Sequence, residues 1–138
     1  MKVKDIMTRD IVSVRSNSSA EDAARVMKEK NVGTVLVIDG NEFKGLVTDR
    51  AIVTRVIGDA KDAKNVQINH IMTKDVVTCD EESDVMDAAR KLGEKKIRRC
   101  PVINDRRELV GVLSMADVAH EMRPTLDSIF DELSKAAK

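Results

Sequence analysis

Aromatic side chains are almost missing from this chain of 138 residues: Phe43 and Phe130 are present, tyrosine and tryptophan are not. A site that grips bases by ring stacking is all but excluded. The core has to be assembled from Val, Ile, Leu, Met and Ala. Cysteine is scarce too, and two in a chain of this length make no disulfide framework, which points to a reducing, cytoplasmic compartment. Charge of one sign is lacking, since 24 Lys and Arg stand against 24 Asp and Glu for a net charge of 0. General nucleic-acid binding needs a positive excess and is disfavoured. The longest aliphatic run, Val35-Leu36-Val37-Ile38, is far too short to cross a bilayer. Met1 to Ala20 contain no apolar segment of the signal-peptide kind. Gly-rich phosphate loops, nucleophile elbows and paired-carboxylate motifs are absent. His70 and His120 stand alone, outside any zinc spacing. The expectation is a cytoplasmic, membrane-free protein that is not an enzyme and has neither metal site nor catalytic cofactor.

What is present is a globular balance of 42% hydrophobic and 35% charged residues and a duplication. Shifted by 65 positions, Ile6-Met7-Thr8-Arg9-Asp10-Ile11-Val12-Ser13 falls on Ile71-Met72-Thr73-Lys74-Asp75-Val76-Val77-Thr78. Asp22-Ala23-Ala24-Arg25 falls on Asp87-Ala88-Ala89-Arg90, and Val37-Ile38 on Val102-Ile103. Positions 6–41 hold 14 identities in 36. One inserted residue then brings Gly45-Leu46-Val47-Thr48 onto Gly111-Val112-Leu113-Ser114. Two copies of one unit predict a pseudo-two-fold pair.

Each copy reads as β-α-β-β-α, in an α/β (α+β) architecture. Extended segments at Ile11 to Val14 and Val76 to Cys79 lead to helices with apolar residues at 0, 3, 4 and 7. These are Ala20, Ala23, Ala24 and Met27, matched by Val85, Ala88, Ala89 and Leu92. Ser18 and Glu21 have capping-box spacing. Strands follow at Val35 to Ile38 and Cys100 to Ile103, then turns at Asp39-Gly40 and Asn104-Asp105. The next strands end at Thr48 and Ser114, where second helices begin. Residues 1–58 form the first repeat, 59–69 a polar linker, 70–123 the second repeat, and 124–138 an amphipathic helix. Cys79 and Cys100 align with Val14 and Val35, as core thiols without a metal or redox role. The acidic run Asp80 to Asp84 lacks the alternation of a calcium loop and suits a helix N-terminus.

The two copies resemble a pair of cystathionine β-synthase (CBS) domains, a Bateman module. The resemblance rests on Ile-Met-Thr-x-Asp opening each copy, on Ile97-Arg98-Arg99-Cys100-Pro101-Val102-Ile103, and on Gly111-Val112-Leu113-Ser114-Met115-Ala116-Asp117-Val118. It implies a stand-alone regulatory module that binds an adenosine-containing ligand: AMP, ADP, ATP, S-adenosylmethionine or NAD(H). It also implies two clefts and pairing into a dimer. Asp117 stands where the family places a carboxylate for the two ribose hydroxyls. Arg98 and Arg99 match its basic positions for phosphate, and Ser114 heads the helix. Thr8, Asp10, Val12, Val32, Gly33 and Thr34 map onto the adenine side of that cleft. Thr48, Arg50, Thr73, Asp75 and Val77 line a second, weaker cleft, where Ala51 replaces the ribose carboxylate. On spacing alone, Ser114-x-x-Asp117 is also an ordinary helix start, and Lys95 to Arg99 a solvated charge run.

Two functions follow as expectations. One is an adenosine-ligand sensor that signals to a separate effector protein. The alternative is a protein–protein interaction module without a small ligand. In either case a homodimer is expected. Ile52, Val53, Val56, Ile57, Val118, Ala119 and Met122 on the second helices, with the stripe Leu126, Ile129, Phe130 and Leu133, are too many for one inward face.

Overall fold

The computed structural model describes residues 1–136. In chain order these are α1 (Val3–Ile6), β1 (Ser13–Val14), α2 (Ala20–Lys30), β2 (Thr34–Asp39), β3 (Glu42–Thr48) and α3 (Asp49–Ile52), which widens into a π-helical turn over Val53–Ile57. Short 3-10 turns at Ala63–Asn65 and Ile68–His70 lead to β4 (Cys79–Asp80), α4 (Val85–Lys95), β5 (Arg99–Ile103), β6 (Leu109–Ser114) and α5 (Met115–Ala136). The expected β-α-β-β-α order is found twice. Each copy carries one three-stranded sheet, β1-β2-β3 or β4-β5-β6, with its first pair parallel and its second antiparallel. Both antiparallel pairs slip register at the same place, Val37/Ile38 and Val102/Ile103.

The parallel pair in each copy requires a crossover, and α2 and α4 supply it. Their alanines allow close approach to the sheet: Ala20, Ala23 and Ala88 are buried. Ala24 is exposed, so the inward stripe is narrower than the apolar spacing suggested. The cap of α2 is one residue later than expected. Ser19 accepts the Asp22 N–H at 3.0 Å, and the Asp22 carboxylate accepts the Ser19 N–H at 3.1 Å. Both helices end on a left-handed residue, Asn31 at φ 54° and Lys96 at φ 57°. The copies therefore share their turn geometry where their side chains differ.

The copies are joined by exchange. The opening segment of copy one packs on copy two: Val3 and Met7 sit in one cluster with Leu92, Cys100, Leu113 and Val118. The equivalent segment of copy two packs on copy one, where Ile68 and Ile71 lie with Val35, Val37, Val47 and Val56. Thr8 pairs with Val112 through two 2.9 Å backbone hydrogen bonds, and Thr73 pairs with Leu46 at 2.8 and 3.0 Å. Glycine is required at both crossings. A Cβ on Gly45 would stand 2.3 Å from the Thr73 carbonyl oxygen, and one on Gly111 would stand 2.8 Å from that of Thr8. The sheets also meet at their hairpin tips, where Glu42 bridges to Glu108.

Two stretches have more structure than the sequence suggested. Residues 59–69 are more than a linker, because Ile68 is fully buried in the copy-one core and Val66 accepts the Ala20 N–H at 2.8 Å. The amphipathic stretch from residue 124 is no separate helix, because α5 runs from Met115 through Pro124 to Ala136. Residues 137 and 138 lie outside the described residues.

The acidic run after β4 has a second use beside the Asp84 cap of α4. Glu82 takes hydrogen bonds from both Lys2 and Lys4 of the exchanged segment. Those bonds lower the Glu82 carboxyl to about 2 and raise Lys4. A depressed carboxyl pKa contributes stability above its ordinary value and loses it as the carboxyl protonates. Docking of residues 1–8 on copy two should therefore weaken between about pH 4.5 and about 2. Amide exchange at Val3 and Thr8 followed down in pH checks this, and Glu82→Gln should remove the dependence. Gly45→Ala and Gly111→Ala should each destabilise the fold by about 1–3 kcal/mol in urea unfolding, because backbone must move to admit the methyl group.

Candidate functional site

Each copy ends its antiparallel strand pair at a helix head, and several of the expected site residues lie there. In copy two, β6 stops at Ser114. The Ser114 hydroxyl accepts the Asp117 N–H at 3.1 Å, and Asp117 Oδ2 accepts the Ser114 N–H at 3.3 Å. The pair is thus a reciprocal helix cap, and Asp117 Oδ1 is left over for another donor. Arg99 is the register partner of Ser114, and the Arg98 carbonyl accepts the Met115 N–H at 2.8 Å. Arg98, Arg99, Ser114 and Asp117 therefore share one corner. Both arginine residues are exposed. Among the described residues neither guanidinium takes part in an ion pair. Thr8 pairs with Val112, two residues before Ser114. Val77 belongs here as well: its carbonyl accepts the Cys100 S–H at 3.3 Å, and its side chain packs on the copy-two core together with Ile97.

The copy-one corner is built on the same plan with different chemistry. Thr34 is the register partner of Thr48, and the Thr48 hydroxyl accepts the Ala51 N–H at 3.1 Å. Ala51 returns no carboxylate. An acid is present two positions earlier: Asp49 donates its N–H to the Gly33 carbonyl at 2.9 Å. A Cβ on Gly33 would lie 3.0 Å from Asp49 Oδ2. Copy two has Arg98 and Met115 at those two places. A carboxylate over glycine in one corner thus faces an arginine beside methionine in the other.

The expected residues sort by the sheet they belong to. Val12, Val32, Gly33 and Thr34 were assigned to the Asp117 cleft. The structure puts Gly33 and Thr34 beside Asp49 and Thr48, and Val12 and Val32 against the copy-one core. Val77, expected at the second cleft, belongs to the copy-two sheet, where its carbonyl accepts the Cys100 S–H. The reason is the parallel pairing of β1 with β2 and of β4 with β5, which keeps each first strand with its own sheet. Only the segment before it is exchanged, so Thr8 and Thr73 cross over. Arg50, Asp10, Asp75 and Thr73 are exposed at their corners or on the approach to β1 and β4. Sequence reasoning missed Asp49, whose signal was the glycine at position 33 where copy two has arginine.

Other candidates stay apart from these corners. Open hollows of about 360 and 430 Å³ lie beside Arg55, Lys61 and His70, and beside Ser16 and Asp39. Asp39 is held below the usual carboxylate range by hydrogen bonds from Ser16. Among the described residues no His, Cys, Asp and Glu cluster could hold a metal, and no helix is long and apolar enough to cross a membrane. Cys79 and Cys100 are buried in the copy-two core as expected, but their sulfurs stand only 2.9 Å apart.

Comparison with known proteins places this architecture. The family model of the CBS domain matches twice, over residues 3–58 and 68–124. The chain is 32% identical over 117 residues to the CBS domain-containing protein YhcV of Bacillus subtilis, covering 85% of this chain and 82% of that protein. Among solved structures it is similar to the CBS domain pair of protein MJ0100 in complex with 5'-methylthioadenosine and S-adenosyl-L-methionine, with TM-score 0.73, 26% identity, and 91% and 98% of the two chains covered. A putative signal-transduction protein with CBS domains from Burkholderia ambifaria superposes with TM-score 0.71 at 27% identity, over 88% and 93% of the chains.

The cap geometry gives a direct test of the copy-two corner. Ser114→Ala should lower stability by about 1 kcal/mol in denaturant unfolding through loss of the Asp117 N–H partner. Asp117→Asn should cost less than Asp117→Ala, because the amide oxygen still accepts the Ser114 N–H.

Proposed function

The chain belongs to the CBS domain family, as a tandem pair of such domains, and from that premise we propose that it is a regulatory module whose Asp117 corner binds an adenosine-containing ligand and whose state is read by a separate effector protein. The observation that carries this reading is the corner itself. One carboxylate with a spare oxygen and two arginine residues without an ion pair among the described residues stand within one strand register of each other. Asp117 Oδ1 supplies an acceptor for ribose hydroxyls, a charge-assisted contact. Arg98 and Arg99 supply donors for phosphate or carboxylate oxygens. Val77 and Ile97 give an aliphatic wall for a purine, in place of the absent aromatics. The bound ligands of the MJ0100 domain pair support this ligand class. No catalytic family is indicated by the comparisons, and the corner contains no nucleophile–base pair.

Asp117 and Ala51 make the two corners unequal, so one tight site per chain is expected. Calorimetry with AMP, ATP and S-adenosylmethionine checks the stoichiometry, and two equivalent tight sites would overturn it. Asp117→Asn should weaken the tight site about ten- to hundredfold, the value of a charged hydrogen bond of about 1.5–3 kcal/mol. The same ligand at 100 times its dissociation constant should raise stability by about 2.7 kcal/mol, read as a thermal shift. Absence of any shift with the whole panel favours the interaction-module reading instead.

A homodimer is part of the proposal, with a smaller apolar face than the sequence suggested. Ile52, Val56 and Val118 are buried in the chain's own cores. Exposed apolar residues remain at Val53 and Ile57 on the π-helical turn, and at Leu126, Ile129, Phe130 and Leu133 on α5. A stripe on a helix that has left its own core is the kind of face a two-fold partner covers. Sedimentation equilibrium should give twice 15.3 kDa, and the double variant Leu126→Ser, Phe130→Ser should shift the mass toward the monomer. A wild-type mass near 15.3 kDa would count against it.

A further inference from the structure

The cysteine pair has a geometry that a core of separate thiols does not need. Copy one fills the same two positions with Val14 and Val35, so packing alone is met without sulfur. In copy two the Cys79 and Cys100 sulfurs approach to 2.9 Å, inside ordinary van der Waals contact, at the start of β4 and near the start of β5. A bond needs about 2.05 Å. The residues around the pair belong to the Asp117 corner: Arg98 and Arg99 directly precede Cys100, and the Val77 carbonyl accepts its S–H. We propose that Cys79 and Cys100 are a reversible redox site, which closes to a disulfide tying β4 to β5 behind the Asp117 corner and thereby weakens ligand binding there; the second half of this rests on the nucleotide reading above.

The chemistry balances with a peroxide as oxidant, small enough for a site where Cys79 is 3% exposed and Cys100 fully buried. The Cys79 thiolate attacks one peroxide oxygen, the O–O bond breaks, and the leaving hydroxide takes a proton and departs as water. Cys79 is then a sulfenic acid. Cys100 attacks its sulfur, the S–O bond breaks, and the thiol proton leaves with the hydroxyl as a second water. Two thiols lose two electrons in all and the peroxide gains them. Cys79 is suited to react first. The contact with Cys100 holds its thiol below the usual range, while the same contact and burial push Cys100 up. A dithiol reductant reverses the reaction by exchange. Closing the bond also removes the Cys100 S–H that the Val77 carbonyl accepts, which releases the aliphatic wall beside the basic rim.

The full chain is treated with hydrogen peroxide, unfolded, alkylated and weighed. The expected product has lost two hydrogens per chain, takes up no alkylating group, and regains both thiols with dithiothreitol. Two alkylated cysteines, a bond between two chains, or sulfinic acid at Cys79 would overturn the proposal. Cys79→Val and Cys100→Val carry the residues that copy one already folds with, and each should abolish the intramolecular link. Calorimetry with AMP and S-adenosylmethionine then compares reduced and oxidised chains, with about fivefold weaker binding expected after oxidation and no change in the valine variants. Equal affinity in both states would overturn the coupling. If neither state binds, the nucleotide reading falls and the coupling with it, while the mass measurement still decides whether the disulfide forms.

Discussion

Two backbone crossings hold this molecule together. The opening segment of each copy leaves its own unit and adds a short rung to the other, Thr8 beside Val112 and Thr73 beside Leu46. At each crossing the host strand carries a glycine, Gly111 or Gly45, because a carbonyl oxygen occupies the place of its Cβ. The exchange also completes the cores. Val3 and Met7 fill copy two, and Ile68 and Ile71 fill copy one, so neither copy has a complete interior alone. With so few aromatics, each core depends on small aliphatic groups meeting closely, and the exchanged segments supply several of them.

That arrangement also builds the two corners. The strand pair β2–β3 or β5–β6 brings the head of a second helix beside the start of the preceding strand. The exchanged rung arrives two residues before that head. Both corners therefore have a helix head with a cap hydroxyl, Ser114 or Thr48, and a first N–H tied to the neighbouring turn at Arg98 or Gly33. Their side chains then set them apart. Copy two returns a carboxylate from the third helical position and places arginine residues on its rim. Copy one returns none from that position and has a first-position aspartate lying over a glycine. A polyanionic ligand suits the basic corner, and Asp49 makes the other corner less hospitable to phosphate.

The acidic run and the long last helix connect the corners to the outside. Glu82 secures the exchanged segment electrostatically just before α4, which backs the sheet carrying Cys79 and Cys100. The helix that starts at Asp117's corner continues through Pro124 into its exposed apolar stripe. The corner and the stripe are thus the two ends of one helix.

Much was legible along the chain because duplication repeats local rules. Strand ends at Thr48 and Ser114, crossover helices with buried Ala23 and Ala88, and the Ser114–Asp117 cap all depend on residues a few positions apart, and periodicity reports those directly. Which sheet each first strand joins was less legible, since it turns on parallel pairing between strands about twenty residues apart. The burial of Ile68 within a polar stretch is likewise a property of the copy it packs on. So is the meeting of Cys79 with Cys100: alignment with Val14 and Val35 reveals two core positions, and only the packing of β4 on β5 brings their sulfurs together. Local spacing set the elements and their caps, whereas the company each side chain keeps was decided by strand pairing and by the exchange, which no single stretch of chain encodes.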